Sequence, residues 1–523
     1  MRIALNTCLV RLGPKSNVVK NFYSLLNNRK SIFRCYSSTY NDETSRNKPQ
    51  YSNKPPENPL HRVGKMIKSS FKEMFDNLND PDGEYSTGNN KLFPSHCDVV
   101  IIGGGGIGSS IAYWLKQRAK SGLKVVVVER DPTVNNELPI EYRDCSTSLS
   151  VGGLRQQFSL EENIQMSVFG AKFLRNIEDY LEVPNVDIPN VNFTPHGYLF
   201  MATEASAQIL KENAALQASL GAKNQLMTPE MLKKKFPWLN TDGIALACLG
   251  LENEGWFDPW LLLQALRKKA QYYGAEYVEG EVVGFGSQVS RDAVHAVYGR
   301  GDFDNLKNIQ VQLADGEVRQ INFAVAVIAA GPHSGKVAQL AGIGSDSKFR
   351  ETALPVEPRK RYVYCFHCPD GPGLNTPLTI DPNHVYFRRE GLGGNYICGR
   401  SPSPEEEPDV SNLEVDHSYF EEKVWPALAS RVPAFEKLKV TGSWAGYYDF
   451  NTFDENVIIG HHPYYSNLMM CTGCSGHGIQ QAPALGRAMM ELIIDGRYSS
   501  IDLSRLGFER LLTNEPMLER NIV

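Results

Sequence analysis

Asp98-Val-Val-Ile-Ile-Gly-Gly-Gly-Gly-Ile-Gly108, followed by Val125-Val-Val-Val-Glu129, is the stretch on which the fold turns. Its opening apolar run reads as a short buried strand, its glycines as a tight turn, and Ser109 to Lys120 as a helix before a second strand at Val125 to Val128. Strand, glycine turn, helix and strand in that order make a β-α-β unit with parallel strands. Gly103, Gly105 and Gly108 fit G-x-G-x-x-G, and Gly106 and Ile107 belong to the same turn. In this pattern the first glycine permits the turn, the second lets the backbone approach a pyrophosphate, and the third packs helix against strand. The helix N-terminus then offers unpaired N–H groups to the phosphates. Glu129, at the end of the second strand, is placed to accept hydrogen bonds from ribose hydroxyls, with Arg130 beside it. Such an acid repels the 2′-phosphate of NADP, so the expected ligand is a dinucleotide without one.

Working outward, the 523 residues are 42% hydrophobic and 22% charged, enough for more than one buried core. A formal charge of −5, with no lysine and arginine stripe through the body, sets nucleic acid aside as a partner. The longest apolar runs, Val125 to Val128 and Ala324 to Ala330, fall far short of the roughly 20 residues of a membrane span, so membrane association would be peripheral. The N-terminus differs in kind. Arg2, Arg11, Lys15, Lys20, Arg29, Lys30 and Arg34 precede the first acidic residue, Asp42, with Ser, Asn and Leu between them. This is the composition of a mitochondrial transit peptide, expected over residues 1–36 with cleavage after Tyr36. Residues 37–94 read as a polar leader and linker containing one amphipathic stretch from Leu60 to Leu78. A matrix destination would keep the ten cysteines reduced. The pairs Cys365/Cys368 and Cys471/Cys474 do not read as a zinc site, because one lies in a strand-like run and the other in a glycine-rich loop; no metal is expected.

Beyond the first unit, Ser159 with Glu162 reads as a capping box before a helix running towards Leu181. Asp258 as N-cap and Pro259 at the first helical position open another helix, which Gly274 ends. Alternating runs at Gly197 to Ala202, Ile244 to Leu251, Arg361 to Phe366, Thr376 to Ile380, His384 to Arg389 and Tyr396 to Gly399 suggest a mostly antiparallel sheet. The fold class is therefore α/β: a Rossmann-like dinucleotide domain formed by 95–190, 252–345 and 441–523, interleaved with an α+β substrate domain formed by 191–251 and 346–440.

Five further segments resemble the D-amino-acid-oxidase-like superfamily of FAD enzymes, in its sarcosine and dimethylglycine dehydrogenase branch. They are Ser146-Thr-Ser-Leu-Ser-Val-Gly-Gly153, Gly255-Trp-Phe-Asp-Pro259, Gly280-Glu-Val-Val283, Ala329-Ala-Gly-Pro-His-Ser334 and Gly473-Cys-Ser-Gly-His-Gly-Ile-Gln-Gln-Ala-Pro483. The resemblance implies FAD, held by the first turn together with Ser148, Gly152, Gly153, Val283, Ala330, Gly331, Gly476, Gly478 and Ile479. A helix expected to begin near Ala482 would turn its N-terminus, and the N–H groups of Ser475 to Gly478, towards the flavin. The resemblance also implies oxidation of a small amino acid or amine at a C–N bond, with Arg155, His477 and Gln480 as the catalytic candidates. For Arg155, binding a substrate carboxylate and merely ordering its own loop stay open, as do a proton-donating and a loop-holding role for His477. Gln157, Tyr198 and Arg388 are additional pocket candidates, although Arg388 reads more readily as a solvated strand edge and Tyr198 as half-buried packing.

Departures from the branch are informative. Gln480 stands where sarcosine oxidases carry a lysine and Phe158 where they carry a second arginine, so part of the carboxylate clamp is missing. Tyr447 and Ser150 stand where relatives attach flavin through cysteine or histidine, which implies non-covalent FAD. Val151-Gly-Gly-Leu-Arg-Gln-Gln-Phe-Ser159, Glu162-Asn-Ile-Gln165 and Phe173-Leu-Arg-Asn-Ile177 look like a mitochondrial group within the branch that is associated with respiratory complex I assembly. That likeness implies complex I subunits or assembly intermediates as partners, in the matrix or peripheral to the inner membrane.

Overall fold

The computed structural model describes residues 93–130, 144–288, 305–345 and 351–520. The expected transit peptide and nearly all of the expected linker lie outside the described residues. Two eight-stranded sheets organise the chain. In the first, His96–Ile102 is flanked by Val125–Glu129 and Val318–Ile328, both parallel to it. Glu276–Glu279 extends the parallel set on one side and Leu468–Thr472 on the other, where Ile458–His461 closes the edge antiparallel. Glu281–Gln288 and Asn305–Gln312 add an antiparallel pair alongside Val318–Ile328.

Successive side chains of a strand point to opposite faces, and a parallel sheet is covered on both. Val99, Ile101, Val125 and Val127 pack against the helices Gly106–Ala119, Pro259–Tyr272 and Gly478–Asp495. Val100, Ile102, Val126 and Val128 pack on the other face with Ile309, Val311 and Val337. The helix Pro259–Tyr272 starts as its sequence suggests: Asp258 accepts from the Leu261 N–H at 3.1 Å, with Pro259 following it.

The second sheet runs Lys439–Asn451, Val356–His367, Asn395–Arg400, Val385–Glu390, Leu378–Ile380, Tyr198–Ala202, Leu246–Gly250 and Asn224–Met227. All of its pairs are antiparallel except Leu378–Ile380 with Tyr198–Ala202. Lys439–Asn451 is one continuous strand of this sheet, so the chain rejoins the first sheet at Ile458, later than the position 441 read from the sequence.

Other local expectations need correction. The expected capping box does not form: Leu160 is the N-cap of the helix Glu161–Arg175, without a side-chain cap. Ser159 and Leu160 instead donate their backbone N–H groups to Glu519, at 2.6 and 3.4 Å, and Glu162 receives Arg505 at 3.0 Å. A full carboxylate facing a helix N-terminus is a stronger acceptor than a serine hydroxyl, and only the tertiary fold could deliver it. The same helix breaks at Asn176 before a short turn, Ile177–Leu181. The closing helix begins at Gly478 rather than near Ala482, with Pro483 as its sixth residue, where the missing N–H forgoes one hydrogen bond to the carbonyl four residues earlier.

Candidate active site

A cavity of about 1280 Å³ lies between the glycine turn of the first sheet and the inner face of the second. The turn reaches it by backbone strain that glycine alone relieves. Gly103 has φ +103°, and a Cβ there would stand 2.3 Å from the Ala329 carbonyl oxygen. Gly103, Gly105, Gly106 and Ile107 line the cavity, whereas Gly108 lies behind it, packed against the Gly103 carbonyl. Glu129 accepts from the Gly104 N–H at 2.6 Å, which brings its carboxylate to the turn. Arg130 lines the cavity too, half exposed and 3.6 Å from Glu281.

From the other side come Gly476, Gly478 and Ile479, all lining. Their loop is held by Asp449, which the sequence reading passed over. Its Oδ2 accepts from Gly473 N at 3.0 Å and Cys474 N at 2.9 Å, and its carbonyl accepts from Ser475 N at 3.1 Å. Burial pushes the Asp449 carboxyl up to about 6, opposed by those N–H bonds. Gly476, at φ +95°, crosses the Tyr448 ring so closely that a Cβ would stand 2.5 Å from it. Cys471 and Cys474 are buried in the same region with their thiols pushed up by burial, an environment that favours protonated thiols over metal-binding thiolates.

Two helices therefore start at this cavity, Gly106–Ala119 and Gly478–Asp495. Neither has a hydrogen bond from its own N-cap side chain or an acidic residue in its first turn, although Thr147 Oγ1 accepts from the Gly106 N–H at 3.0 Å. Helix N-termini concentrate N–H groups without intrahelical partners and positive potential, which suits a pyrophosphate at the first and an electron-rich ring edge at the second. Val283, Gly153, Ala330 and Gly331 complete the lining. Ser146 and His333 also line the cavity, with Ser146 Oγ and His333 Nδ1 buried beside it and without a hydrogen-bond partner among the described residues. The close backbone approach at Gly103 and the two helix N-termini suit a flavin dinucleotide, which supplies acceptors and donors along its length. Ser148 and Gly152 are not part of the lining. The Ser148 hydroxyl donates to the Cys145 carbonyl at 2.9 Å, and a Cβ on Gly152 would meet the Phe257 carbonyl.

Arg155 is 4% exposed and faces the cavity. Its guanidinium lies 4.7 Å from the Phe158 ring centroid, 5.1 Å from that of Phe200 and 5.9 Å from that of Tyr198. Its Nη2 is 2.9 Å from His477 Nε2. Burial, with the Arg155 charge second, pushes His477 down to about 3. The imidazole is thus neutral, and Nε2 accepts from the guanidinium. Of the two roles left open for His477, this geometry favours holding over proton donation. Gln480 lines the cavity as well, and its Oε1 accepts from the Arg155 backbone N–H at 2.8 Å, which ties it to the loop that carries Arg155.

Tyr198 is buried and lines the cavity, together with Tyr386 and Tyr448, which sequence reasoning missed because tyrosines in strands carry no signal of their own. Gln157 and Arg388 stay outside the lining. Gln157 Nε2 donates to the Tyr198 carbonyl at 2.9 Å and to Glu254 Oε2 at 2.8 Å. Arg388 is no solvated edge: its strand is interior to the sheet, its guanidinium packs 5.4 Å from the Trp256 ring, and Nε donates to the Val151 carbonyl at 3.1 Å. Glu254 was missed as well, although it immediately precedes the Gly255-Trp-Phe-Asp-Pro259 motif.

Comparison with known proteins agrees with this cavity. The family model described as DAO, FAD dependent oxidoreductase, matches residues 98–492. A Xenopus laevis protein, "FAD-dependent oxidoreductase domain-containing protein 1", is 53% identical over 457 residues, covering 86% of this chain and 90% of its own. Among solved structures, L-proline dehydrogenase from P. horikoshii superposes with a TM-score of 0.65 at 24% identity, covering 81% of this chain and all 100% of its own. Glycine oxidase from Geobacillus kaustophilus gives 0.61 at 19% identity, covering 79% and 98%. At such identities these two speak for the fold.

Proposed function

The chain belongs to the family of FAD-dependent oxidoreductases, and we propose that it works in the mitochondrial matrix, oxidising a small amino acid or amine at its C–N bond and contributing to the assembly or stability of respiratory complex I. The observation that carries the activity is Arg155, a buried guanidinium facing the same cavity as two helix N-termini. When bound there, FAD supplies the acceptor for two electrons and a proton as hydride.

The chain's own residues do the rest. Arg155 anchors the substrate carboxylate through charge-assisted hydrogen bonds. Neutral His477 fixes one edge of the guanidinium without competing for the anion. Tyr198 and Tyr386, their hydroxyls kept protonated by burial, wall the cavity and limit water. With Gln480 in place of a second cation at that position, Arg155 does the anchoring. The matrix location rests on the basic, acid-free leader. No helix among the described residues is long and apolar enough to cross a membrane, which is compatible with a peripheral position on the inner membrane. The assembly role rests on the likeness of Val151 to Ser159 and its flanking segments.

Anaerobic mixing with a panel of free and N-methylated amino acids tests the activity: the flavin absorbance should bleach with at least one, and a panel without bleaching would count decisively against turnover. Arg155→Ala and Gly103→Val, each restored to cells lacking the protein, separate the two roles. Complex I that assembles with Arg155→Ala but not with Gly103→Val would mean that folding around FAD suffices. The second reading, an amine dehydrogenase with no assembly role, is favoured by the intact cavity and requires normal complex I with both variants.

A further inference from the structure

The segment that carries Arg155 has neither helix nor strand from Arg155 to Leu160, yet Arg155, Gln156, Gln157 and Phe158 are all buried. Buried N–H groups outside regular structure must find acceptors elsewhere. Here distant side chains supply them. Arg155 N donates to Gln480 at 2.8 Å, Gln156 N to Glu254 Oε1 at 2.7 Å, and Ser159 N to Glu519 at 2.6 Å.

Glu254 brings both of its oxygens to the two residues that follow Arg155, since Oε2 also accepts from Gln157 Nε2 at 2.8 Å. It is 2% exposed and stands outside the cavity lining. The next residues, Gly255–Trp256, pair with Gly153–Leu154, the short strand that leads into Arg155. Room for the carboxylate is made by Gly250, where a Cβ would fall 1.8 Å from Glu254 Oε2. We infer that Glu254 is a positioning residue: by clasping Gln156 and Gln157 it sets where the Arg155 guanidinium sits in the cavity, and through it the affinity for a substrate carboxylate.

This rests on the reading of Arg155 as the carboxylate anchor. A buried carboxylate is costly, and burial pushes Glu254 up to about 7 against the bonds from Gln157 and Gln156 and the charge of Arg155. A leucine would fill similar space without that cost but could accept neither bond. The placement of Arg155, which immediately precedes Gln156 in the chain, is what the carboxylate secures.

The test uses the FAD-loaded protein titrated with anthranilate, an aromatic carboxylate suited to an arginine among tyrosines, read as perturbation of the flavin absorbance. Glu254→Ala at full FAD content should raise the anthranilate Kd roughly tenfold, the loss expected for one misplaced charge-assisted contact. Glu254→Gln keeps an acceptor for Gln156 and should stay within about threefold of wild type. If the alanine variant fails to hold FAD, Glu254→Asp decides; it keeps the charge but withdraws the carboxylate by one methylene, and about a fivefold rise is expected. Arg155→Ala is the reference. Wild-type affinity in Glu254→Ala or Glu254→Asp while Arg155→Ala loses binding overturns the positioning role and leaves the anchor standing. Glutamine as damaging as alanine also overturns it, because charge rather than geometry would then be what matters. Unchanged affinity in Arg155→Ala, or no perturbation of the wild type, removes the anchor and this inference together.

Discussion

The turn from Gly103 to Gly108 and the segment from Arg155 to Leu160 meet at one cavity, yet they are built in opposite ways. The turn holds its shape through its own residues and the strand ends beside it. Gly103 N donates to the Val128 carbonyl at 2.8 Å, and Ser109 Oγ donates to the Gly104 carbonyl at 2.7 Å. The Arg155 segment depends on Glu254, Gln480, Glu519 and Gln217, which come from as many separate parts of the chain. A cofactor cradle made by backbone geometry tolerates change around it. A substrate segment hung from remote side chains can be retuned from many places, which suits a fold that serves many substrates.

The sharpest way to break this contrast is Gly103→Val. With φ +103° and the Ala329 carbonyl 2.3 Å from any Cβ, the substitution should cost more than about 3 kcal/mol and yield colourless protein, measured by the ratio of flavin to protein absorbance. A yellow, stable variant would show that the turn is not the cradle.

Glu519→Ala probes the remote side. Removing the acceptor for Ser159 N, Leu160 N and Asn163 Nδ2 should destabilise the protein by about 2 kcal/mol while leaving the flavin content at wild type. Thermal unfolding of the FAD-loaded protein checks it; equal loss of flavin would mean that turn and segment are not independent.

A smaller and pH-dependent effect belongs to His477. Its folded pKa, pushed down to about 3 by burial and by Arg155, lies below the ordinary 6.5, so the unfolded chain takes up the proton first as pH falls. Its contribution is therefore complete above pH 6.5 and declines towards pH 3, by at most about 1.4 kcal/mol per unit. Glu254, pushed up to about 7, acts with the opposite sign between its ordinary 4.5 and 7. His477→Gln keeps an acceptor for Arg155, so urea midpoints of wild type and variant should converge as pH drops from 7 to about 5. A constant gap would mean that His477 titrates normally. The smallest effect expected is none at all on the chain: acid precipitation should release the yellow colour, because Tyr447 and Ser150 stand where relatives carry an attaching cysteine or histidine.

Much of this was legible beforehand where local chemistry decides. The glycine spacing, Glu129 after a valine run, and Asp258 with Pro259 each act within a few residues of themselves, and each was read correctly as local structure. Errors fell where the partner is remote. Ser159 and Glu162 looked like a capping box until Glu519 and Arg505 arrived from the C-terminal region to replace it. Arg388 looked exposed because a strand's place in a sheet is not written in the strand.

By itself, then, the sequence determined the dinucleotide unit and the two-sheet architecture, since hydrophobic period and backbone-permissive residues are properties of short segments; FAD in particular came from the resemblance of further motifs to a family of FAD enzymes. Only the tertiary structure decided that His477 is neutral, that Gln480 accepts from Arg155 N, and that Glu254 clasps the loop. Burial and hydrogen-bond partnership set protonation and orientation, and both are fixed by residues far apart in the chain that the fold brings together.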